Sequence, residues 1–290
     1  MHDFMNIIRR FLHKYIYQDW NIAVCDMSDD LTPINVKWMK HDYKDRWFAD
    51  PFMVDETPKS YIILAEECPH GQKGRLVRLT LAKDDCKLIS REIILDLPTH
   101  LSFPIPITID GQMFIYPENA AAGSTSYYLY SEKGLEYRGY ISNIGLADPV
   151  IVIHGTASYL LATIGKECNG NHLRIFRSNE PLSGYEECGE QYFHDNIARR
   201  AGNVFQHNGI LISPAQVCNH EYGEGVSLQQ LTIDDSGVHL KELKRIYPFS
   251  HQYPEGFHTY NVFGDKVVID GYRYGSPILH KLYFSVRKPK

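Results

Sequence analysis

Short apolar stretches alternate with turns along almost the whole chain. Five segments share one phrase, in which a small or polar entry is followed by an apolar run, a turn with Gly, Asp or Pro, and a second apolar run. These phrases begin at Phe48, Leu101, Leu146, Arg199 and Gly256. Further β-rich runs such as "GRLVRLTLA" and "HLRIFRS" lie between them, and only the first twenty residues show apolar positions at helical spacing.

The intervals between equivalent positions of the phrases run from 45 to 57 residues, with about four strands in each interval. A period of that length with four strands is typical of a β-propeller, and five phrases predict an all-β, five-bladed one. A β-sandwich would also contain many short strands, but its strands should not repeat such similar sequence segments. We expect a lead at 1–20, helical or extended, and a single propeller domain at 21–290.

Composition narrows the range of partners. The 290 residues are 43% hydrophobic and carry a net charge of −5, with no basic stripe, so nucleic acid is not an expected partner. No apolar run approaches the ~20 residues of a membrane span. The six cysteines lack metal-type spacing and the N-terminus lacks a signal peptide, which together favour a cytoplasmic protein with reduced thiols.

The entrances of the phrases carry the candidate chemistry, because the first strand of each blade lines the central channel. Asp50 and Asp148 each precede a proline at such an entrance. Together with a glutamate they would suit glycoside chemistry, in which one carboxylate activates water and another protonates the leaving oxygen. The candidate catalytic residues are Asp50, Asp148, Glu118, Glu221 and Glu224. The candidate substrate-binding residues are Arg199, Arg200, Gln216, Tyr222, His258 and Trp47.

Each candidate also has a purely structural interpretation. An aspartate before a strand often caps a turn or pairs with an arginine. Arg199 and Arg200 could clamp an anion, or they could pair with the aspartates. A lone histidine such as His258 is more often simply hydrogen-bonded than catalytic. Nucleotide-binding glycine loops, the G-x-S-x-G elbow and H-E-x-x-H are all absent from the sequence.

The segments "WFADPF" and "LADPVIV" resemble the blade entrances of five-bladed propeller glycosidases such as glycoside hydrolase family 43. This resemblance implies that Asp50 is the base, Asp148 tunes its pKa, and Glu221 or Glu224 is the acid. In some of those enzymes an axial histidine helps to hold calcium or water. His258 looks like that histidine, so a calcium ion near His258 is the one cofactor that the resemblance suggests.

A closer resemblance covers nearly the whole chain. Segments that include "HLSFP", "ARRAGNVF" and "FHTYNV" are similar to the propeller at the N-terminus of plant glucosamine inositolphosphorylceramide transferases. Family members tend to read Arg-Pro-Ala-Gly where this chain has Arg199 to Gly202. They tend to read Arg-Pro-Ala-Gln-Asp where it has Ser213 to Val217. The positions that still fit the pattern are Asp50, Glu118, Asp148, Arg199, Gln216, Tyr222 and His258.

Two functions follow as hypotheses from these resemblances. The first is a carbohydrate-active protein that acts on a glycosidic bond in an axial pocket. The alternative is a non-catalytic module that binds a sugar or nucleotide sugar during bacterial surface-polysaccharide assembly, beside a glycosyltransferase or another sugar-modifying enzyme. A third, weaker option is a scaffold that docks a partner transferase through the rim of the propeller.

Overall fold

A computed structural model describes residues 17–276 of the chain. Over this range twenty strands form five four-stranded antiparallel sheets, which confirms the expected five-bladed β-propeller. The strands are β1 Gln18–Met27, β2 Pro33–Trp38, β3 Arg46–Glu56, β4 Ser60–Pro69, β5 Arg75–Ala82, β6 Leu88–Leu95, β7 Ser102–Ile109, β8 Gln112–Glu118, β9 Thr125–Ser131, β10 Gly134–Ser142, β11 Leu146–His154, β12 Ala157–Ile164, β13 His172–Ser178, β14 Glu186–Tyr192, β15 Phe205–His207, β16 Ile210–Val217, β17 Gly225–Asp234, β18 Gly237–Ile246, β19 Tyr260–Phe263 and β20 Lys266–Tyr274. Single 3-10 turns lie at Ala120–Ala122 and Gly165–Glu167.

The blades follow the repeated phrases. Blade 1 comprises β3 to β6, blade 2 β7 to β10, blade 3 β11 to β14 and blade 4 β15 to β18. In each blade the two strands of the phrase are the inner pair, so the phrase entrances face the axis. Within residues 17–276 no helix is long and apolar enough to cross a membrane.

Blade 5 is assembled from both ends of the described chain, in the order β19-β20-β1-β2. Strand β20 pairs with β1 in continuous antiparallel register from Gln18↔Tyr274 to Asp26↔Lys266. This pairing closes the ring and leaves neither partner strand with a free edge. Of the expected lead, residues 1–16 lie outside the described part, and residues 18–20 belong to β1.

The Asp-Pro entrance is a β-bulge with a left-handed residue. Asp50, Phe103 and Asp148 have φ angles of +50°, +47° and +43°, and each immediately precedes a proline. The strand register shifts at the same points in β3, β7 and β11. Aspartate tolerates this conformation better than most residues, whereas phenylalanine is strained in it. The bulge takes one backbone N–H out of the ladder, so this group needs another acceptor.

The hydrophobic core lies between neighbouring blades. The rings of Phe52 in blade 1 and Phe103 in blade 2 meet edge to face, with their centroids 4.9 Å apart. The hydroxyl of the fully buried Tyr116 in blade 2 accepts a hydrogen bond from the N–H of Ile151 in blade 3 at 3.0 Å. Because each blade buries its faces against both neighbours, the inner strands are held rigidly around the axis.

Candidate functional site at the propeller axis

One polar residue from the second strand of each blade faces the axis. These axial ring residues are Glu66, Glu118, Thr163, Gln216 and Asp270. In β-ladder register Glu66 lies opposite Ala49, Glu118 opposite Ser102 and Thr163 opposite Ala147, which is the same position of the repeated hairpin. All except Glu118 are buried. Buried polar side chains need partners, so the contacts of this ring determine what the axis can do.

Carboxylates of the axis hold the bulged entrances of adjacent blades. Asp270 of blade 5 accepts the N–H of Asp50 in blade 1 at 3.0 Å. Asp50 in turn accepts the N–H of Phe103 in blade 2 at 3.1 Å. Glu118 of blade 2 accepts the N–H of Asp148 in blade 3 at 3.0 Å. The aspartate before the proline therefore has a structural role at a boundary between blades. Its own N–H donates to a carboxylate of the preceding blade, and the carboxylate of Asp50 also accepts the N–H of the next entrance.

Asp50 belongs to a buried cluster with blade 5. Its Oδ1 accepts a hydrogen bond from the Thr259 hydroxyl at 2.9 Å, and His258 Nδ1 lies 2.7 Å from Asp270 Oδ2. Burial raises the pKa of Asp50 to about 6, although the nearby charge of His258 opposes the shift. Burial disfavours the charged form of His258, but Asp270 and Asp50 overcome it and raise the pKa of His258 to about 9. The cluster therefore holds an imidazolium among carboxylates at neutral pH.

These residues do not fit a calcium site, although ligand atoms of Asp50, His258 and Asp270 lie within 4.8 Å of one another. Calcium takes six to eight oxygen ligands. Here the oxygens of Asp270 already accept the N–H groups of His258 and Thr259 at 3.0 Å each, in addition to the contact with the His258 ring. The imidazolium supplies the positive charge that a metal ion would otherwise bring.

Arg199 of blade 4 lies between the carboxylates of two other blades. Its Nε donates to Asp148 Oδ2 at 2.6 Å, and its Nη2 donates to Glu118 Oε2 at 2.9 Å. The side-chain amide of Gln216 also donates to Asp148 Oδ2, at 2.5 Å. Burial raises the pKa of Asp148 to about 8 against the opposing charge of Arg199. Of the two alternatives left open for Arg199, the pairing with an aspartate is present.

Arg200 points away from the axial carboxylates and is completely buried. Its guanidinium donates to the carbonyls of Ile197 and Ala198 and to the side chains of Ser213 and Gln229, at 2.7 to 3.1 Å. Burial lowers its pKa to about 9. These contacts lie within blade 4 and give Arg200 a structural role there, with no surface for a substrate.

The loop between β16 and β17 places its candidates at the mouth of the axis. Tyr222 is 36% exposed, its ring lies 5.3 Å from the Arg199 guanidinium, and it meets the His258 ring edge to face at 5.2 Å. Glu221 is exposed and contacts the Tyr272 hydroxyl at 3.4 Å. Glu224 accepts the N–H of Asn219 and contacts the exposed His220. The structure shows no contact between either glutamate and Asp50.

Two aromatic residues support this mouth from below. Trp20 of β1 stacks on His258 with ring centroids 4.2 Å apart. Trp47 is half-buried and packs against the cluster formed by Trp20, Ala49, Tyr272 and Tyr274. The tryptophan selected from the sequence thus packs against the cluster that contains Trp20, and Trp20 is the one that contacts the axial histidine.

Sequence reasoning missed Glu66, Thr163 and Asp270 of the axial ring, and Thr259 beside it. Burial raises the pKa of Glu66 to about 7, and its Oε1 lies 3.1 Å from His100 Nε2. The missed ring members occur at the same position of their phrases as Glu118, in "LAEE", "LLAT" and "VVIDG". An alignment of the second strands of the phrases, in place of their entrances alone, would have found Glu66 and Asp270.

Comparison with known proteins places the chain in a family. Residues 32–251 match the family model described as glucosamine inositolphosphorylceramide transferase 1, N-terminal. The chain belongs to this family. The Arabidopsis thaliana protein glucosamine inositolphosphorylceramide transferase 1 is 23% identical over 197 residues, which cover 64% of this chain and 26% of the relative. The chain thus spans about a quarter of the length of that relative.

Solved structures show the same fold in glycosidases. A thermostable family-43 glycoside hydrolase matches with a TM-score of 0.55 at 12% identity, over 82% of this chain and 90% of the other. The α-L-arabinofuranosidase from Podospora anserina in complex with cellotriose matches with a TM-score of 0.52 at 11% identity, over 77% of this chain and 75% of the other. Both resemblances inferred from the sequence are therefore confirmed: the chain shares the propeller fold of these glycosidases and belongs to this N-terminal family.

Proposed function

We propose that this propeller is a non-catalytic module that binds a sugar at the mouth of its axis. The observation that carries the proposal is the position of Arg199, which lies between Asp148 and Glu118 beneath the exposed ring of Tyr222. An aromatic face beside a few polar groups is the usual composition of a ligand site. Tyr222 supplies the stacking face, and Arg199 and Glu118, which are 12% and 14% exposed, supply the hydrogen bonds.

The contacts of the carboxylates argue against hydrolysis. A glycosidase needs a base that reaches water and an acid on the opposite side of the bond. Asp50 is 5% exposed and is engaged by Phe103 and Thr259. Asp148 is 1% exposed and is paired with Arg199. The carboxylates of Asp50 and Asp148 form hydrogen bonds that join blades. If either acted as a catalytic base, it would have to give up some of these hydrogen bonds.

A hydrolase remains the second candidate because of Glu66. Its raised pKa of about 7 suits a proton donor at neutral pH, and the charge of Asp50 contributes to that shift. In such an enzyme Glu66 would take the acid role that the resemblance gives to Glu221 or Glu224. Asp50→Asn and Glu66→Gln would then both abolish turnover of an aryl glycoside.

The relatives that match this chain are named as transferases and extend well beyond the matched region. By that likeness we propose that the module presents a glycan, or a nucleotide sugar, to a glycosyltransferase or another sugar-modifying enzyme. A polysaccharide precursor assembled in the cytoplasm would be a suitable ligand.

Ligand-observed NMR with a panel of monosaccharides and nucleotide sugars tests the proposal. We expect saturable binding of at least one sugar, weakened roughly fivefold in Tyr222→Ala, since an aromatic contact contributes on the order of 1 kcal/mol. Tyr222→Phe should retain binding. The matched control is Tyr192→Ala, because Tyr192 is also exposed and also contacts a histidine, His172, but lies on the outermost strand of blade 3. Sugar cleavage by the wild-type protein that is lost in Asp50→Asn would overturn the proposal in favour of the hydrolase.

A further inference from the structure

A separate cavity of about 1040 Å³ lies between blades 5 and 1. The connection from β2 to β3, the start of β6, and residues of β1 and β20 line its walls, and none of the axial ring residues does. Its volume is at the upper end of the range for small-molecule pockets. It is therefore large enough for a ligand that is independent of the axial mouth.

The lining of this cavity is cationic, although the chain as a whole has a net charge of −5. Two carboxylates, of Asp19 and Asp42, face six basic side chains. These six are Lys40, Lys44, Arg46, Lys87, Arg91 and Arg273. A concentration of one charge in a concave surface attracts ligands of the opposite charge.

Two arginines of the lining are held in fixed positions. Arg46 and Arg91 both pair with the buried carboxylate of Glu67. Their guanidinium carbons also lie 4.7 and 5.9 Å from the centre of the Tyr43 ring. Arginines that are fixed in this way lose little conformational entropy when they bind a further anion.

Two lysines supply charge that no described residue neutralises. Arg273 pairs with Asp19 at 3.0 Å, and Lys40 pairs with Asp85 at 3.1 Å. Lys44 and Lys87 are exposed and form no ion pair with residues 17–276. The backbone places Lys87 beside Lys40 in a parallel bridge, so two like charges start from adjacent positions. Because Asp85 already neutralises Lys40, Lys87 is the member of this pair whose charge is left to attract an anion.

We propose that this cavity binds a small phosphate-bearing molecule, with Lys44 and Lys87 as the groups that contact the phosphate. The surroundings favour a compact anion over a membrane or a nucleic acid. Exposed carboxylates of Asp42, Asp45 and Asp85 lie around the same segments and would repel an extended polyanion. A single phosphate or pyrophosphate group can enter between them. This site is independent of the proposed sugar site.

Isothermal titration calorimetry of the full chain tests the site, at about 20 mM salt so that screening is weak. The probes are inorganic phosphate, pyrophosphate, glucose 1-phosphate and free glucose. We expect saturable binding of pyrophosphate and glucose 1-phosphate, and none of glucose at this cavity. The double variant K44Q/K87Q should weaken pyrophosphate binding about tenfold or more.

The matched control is K59Q/K133Q, which removes the same charge from two exposed lysines of other loops that form no ion pair with the described residues. It should change the affinity less than about twofold. Tyr222→Ala should leave pyrophosphate binding intact, so failure of the sugar site and failure of this site are distinguishable. The proposal is overturned if neither pyrophosphate nor glucose 1-phosphate binds, or if both double variants weaken binding equally.

Discussion

The carboxylate of Asp50 accepts the backbone N–H of Phe103 at 3.1 Å, across the boundary between blades 1 and 2. Phe103 is the residue of blade 2 at the position that Asp50 itself occupies in blade 1, and both have positive φ. An entrance aspartate thus supports the entrance of the next blade. The same atoms that resemble a catalytic base hold the ring of blades together.

Asp50→Ala is expected to lower the free energy of unfolding by about 1–3 kcal/mol, because it leaves the Phe103 N–H buried without its acceptor, whereas the Thr259 hydroxyl can still donate to Asp270 Oδ2. Asp50→Asn, which keeps one oxygen, should cost less. Urea denaturation followed by tryptophan fluorescence measures both. Asp55→Ala, an exposed position of the same strand, should change stability by less than about 0.5 kcal/mol. If Asp50→Ala unfolds at the same urea concentration as the wild type, the structural role is wrong.

Without Arg199, the carboxylates of Asp148 and Glu118 should repel each other. In Arg199→Met the side chains of Asp148 and Glu118 lose their shared cation, so we expect a loss of about 3 kcal/mol at pH 8. The loss should be smaller at pH 5, where the carboxyl groups can be protonated. Arg174→Met is the control, since the ion pair of Arg174 with Glu187 is partly exposed, and it should cost less than about 1 kcal/mol. Equal losses for the two variants would contradict the axial assignment.

Stability should fall as the pH rises from 6.5 to 9. The pKa of His258 is raised from 6.5 to about 9 and that of Asp148 from 3.8 to about 8, so in this window the native state holds protons that the unfolded state has released. The stabilisation from His258 is complete below 6.5 and is lost as the pH rises through 9. The contribution of Asp148, which is neutral when buried, is lost as the pH rises towards and through 8.

Chemical denaturation at several pH values measures this effect. Two extra protons in the native state correspond to a slope of at most about 2.7 kcal/mol per pH unit, and the two pKa shifts together set an upper limit of about 5 kcal/mol on the fall across the window. Asp148→Asn should remove part of the slope between pH 6.5 and 8. A free energy of unfolding that rises over this range would show that His258 and Asp148 titrate normally in the folded protein.

Family members tend to have proline at position 200 and arginine at position 213. We expect that this chain tolerates Arg200→Pro and Ser213→Arg when the two substitutions are made together. The strand contacts at Arg200 run from Gln216 N to Arg199 O and from Ala201 N to Pro214 O, so the N–H of Arg200 itself is not used in the ladder. Proline is therefore compatible with the backbone there. The Arg200 guanidinium, 3.1 Å from Ser213 Oγ, fills the space beside position 213.

Arg200→Pro alone should cost about 2–3 kcal/mol, because the buried oxygens of Ala198 and Gln229 lose their guanidinium donor, whereas the Ile197 carbonyl keeps the Gln229 amide. Ser213→Arg alone should also destabilise, since it adds a second guanidinium to a filled core. The double variant should recover to within about 1 kcal/mol of the wild type, and a double-mutant cycle from thermal or urea unfolding measures the coupling. Additive losses would mean that the two guanidinium positions are unrelated.

The repeated phrase made the fold predictable, because the local alternation of apolar runs and turns fixes four strands per blade. It also predicted that Asp50, Glu118, Asp148 and His258 lie near one axis, since equivalent positions of a propeller repeat share one radius. The second-strand members Glu66 and Asp270 were available in the same pattern and were missed because only the entrances were compared.

The sequence by itself thus determined the number of blades and the strand positions that face the axis, since both follow from a local period. Only the tertiary structure decided the closure of blade 5 by β1, the pairing of Arg199 with Asp148 and Glu118, and the burial of Arg200. Each of these depends on contacts between residues far apart in the chain. Such contacts decide whether an aspartate can act as a base or instead joins two blades by hydrogen bonds, because they determine its pKa and its access to water.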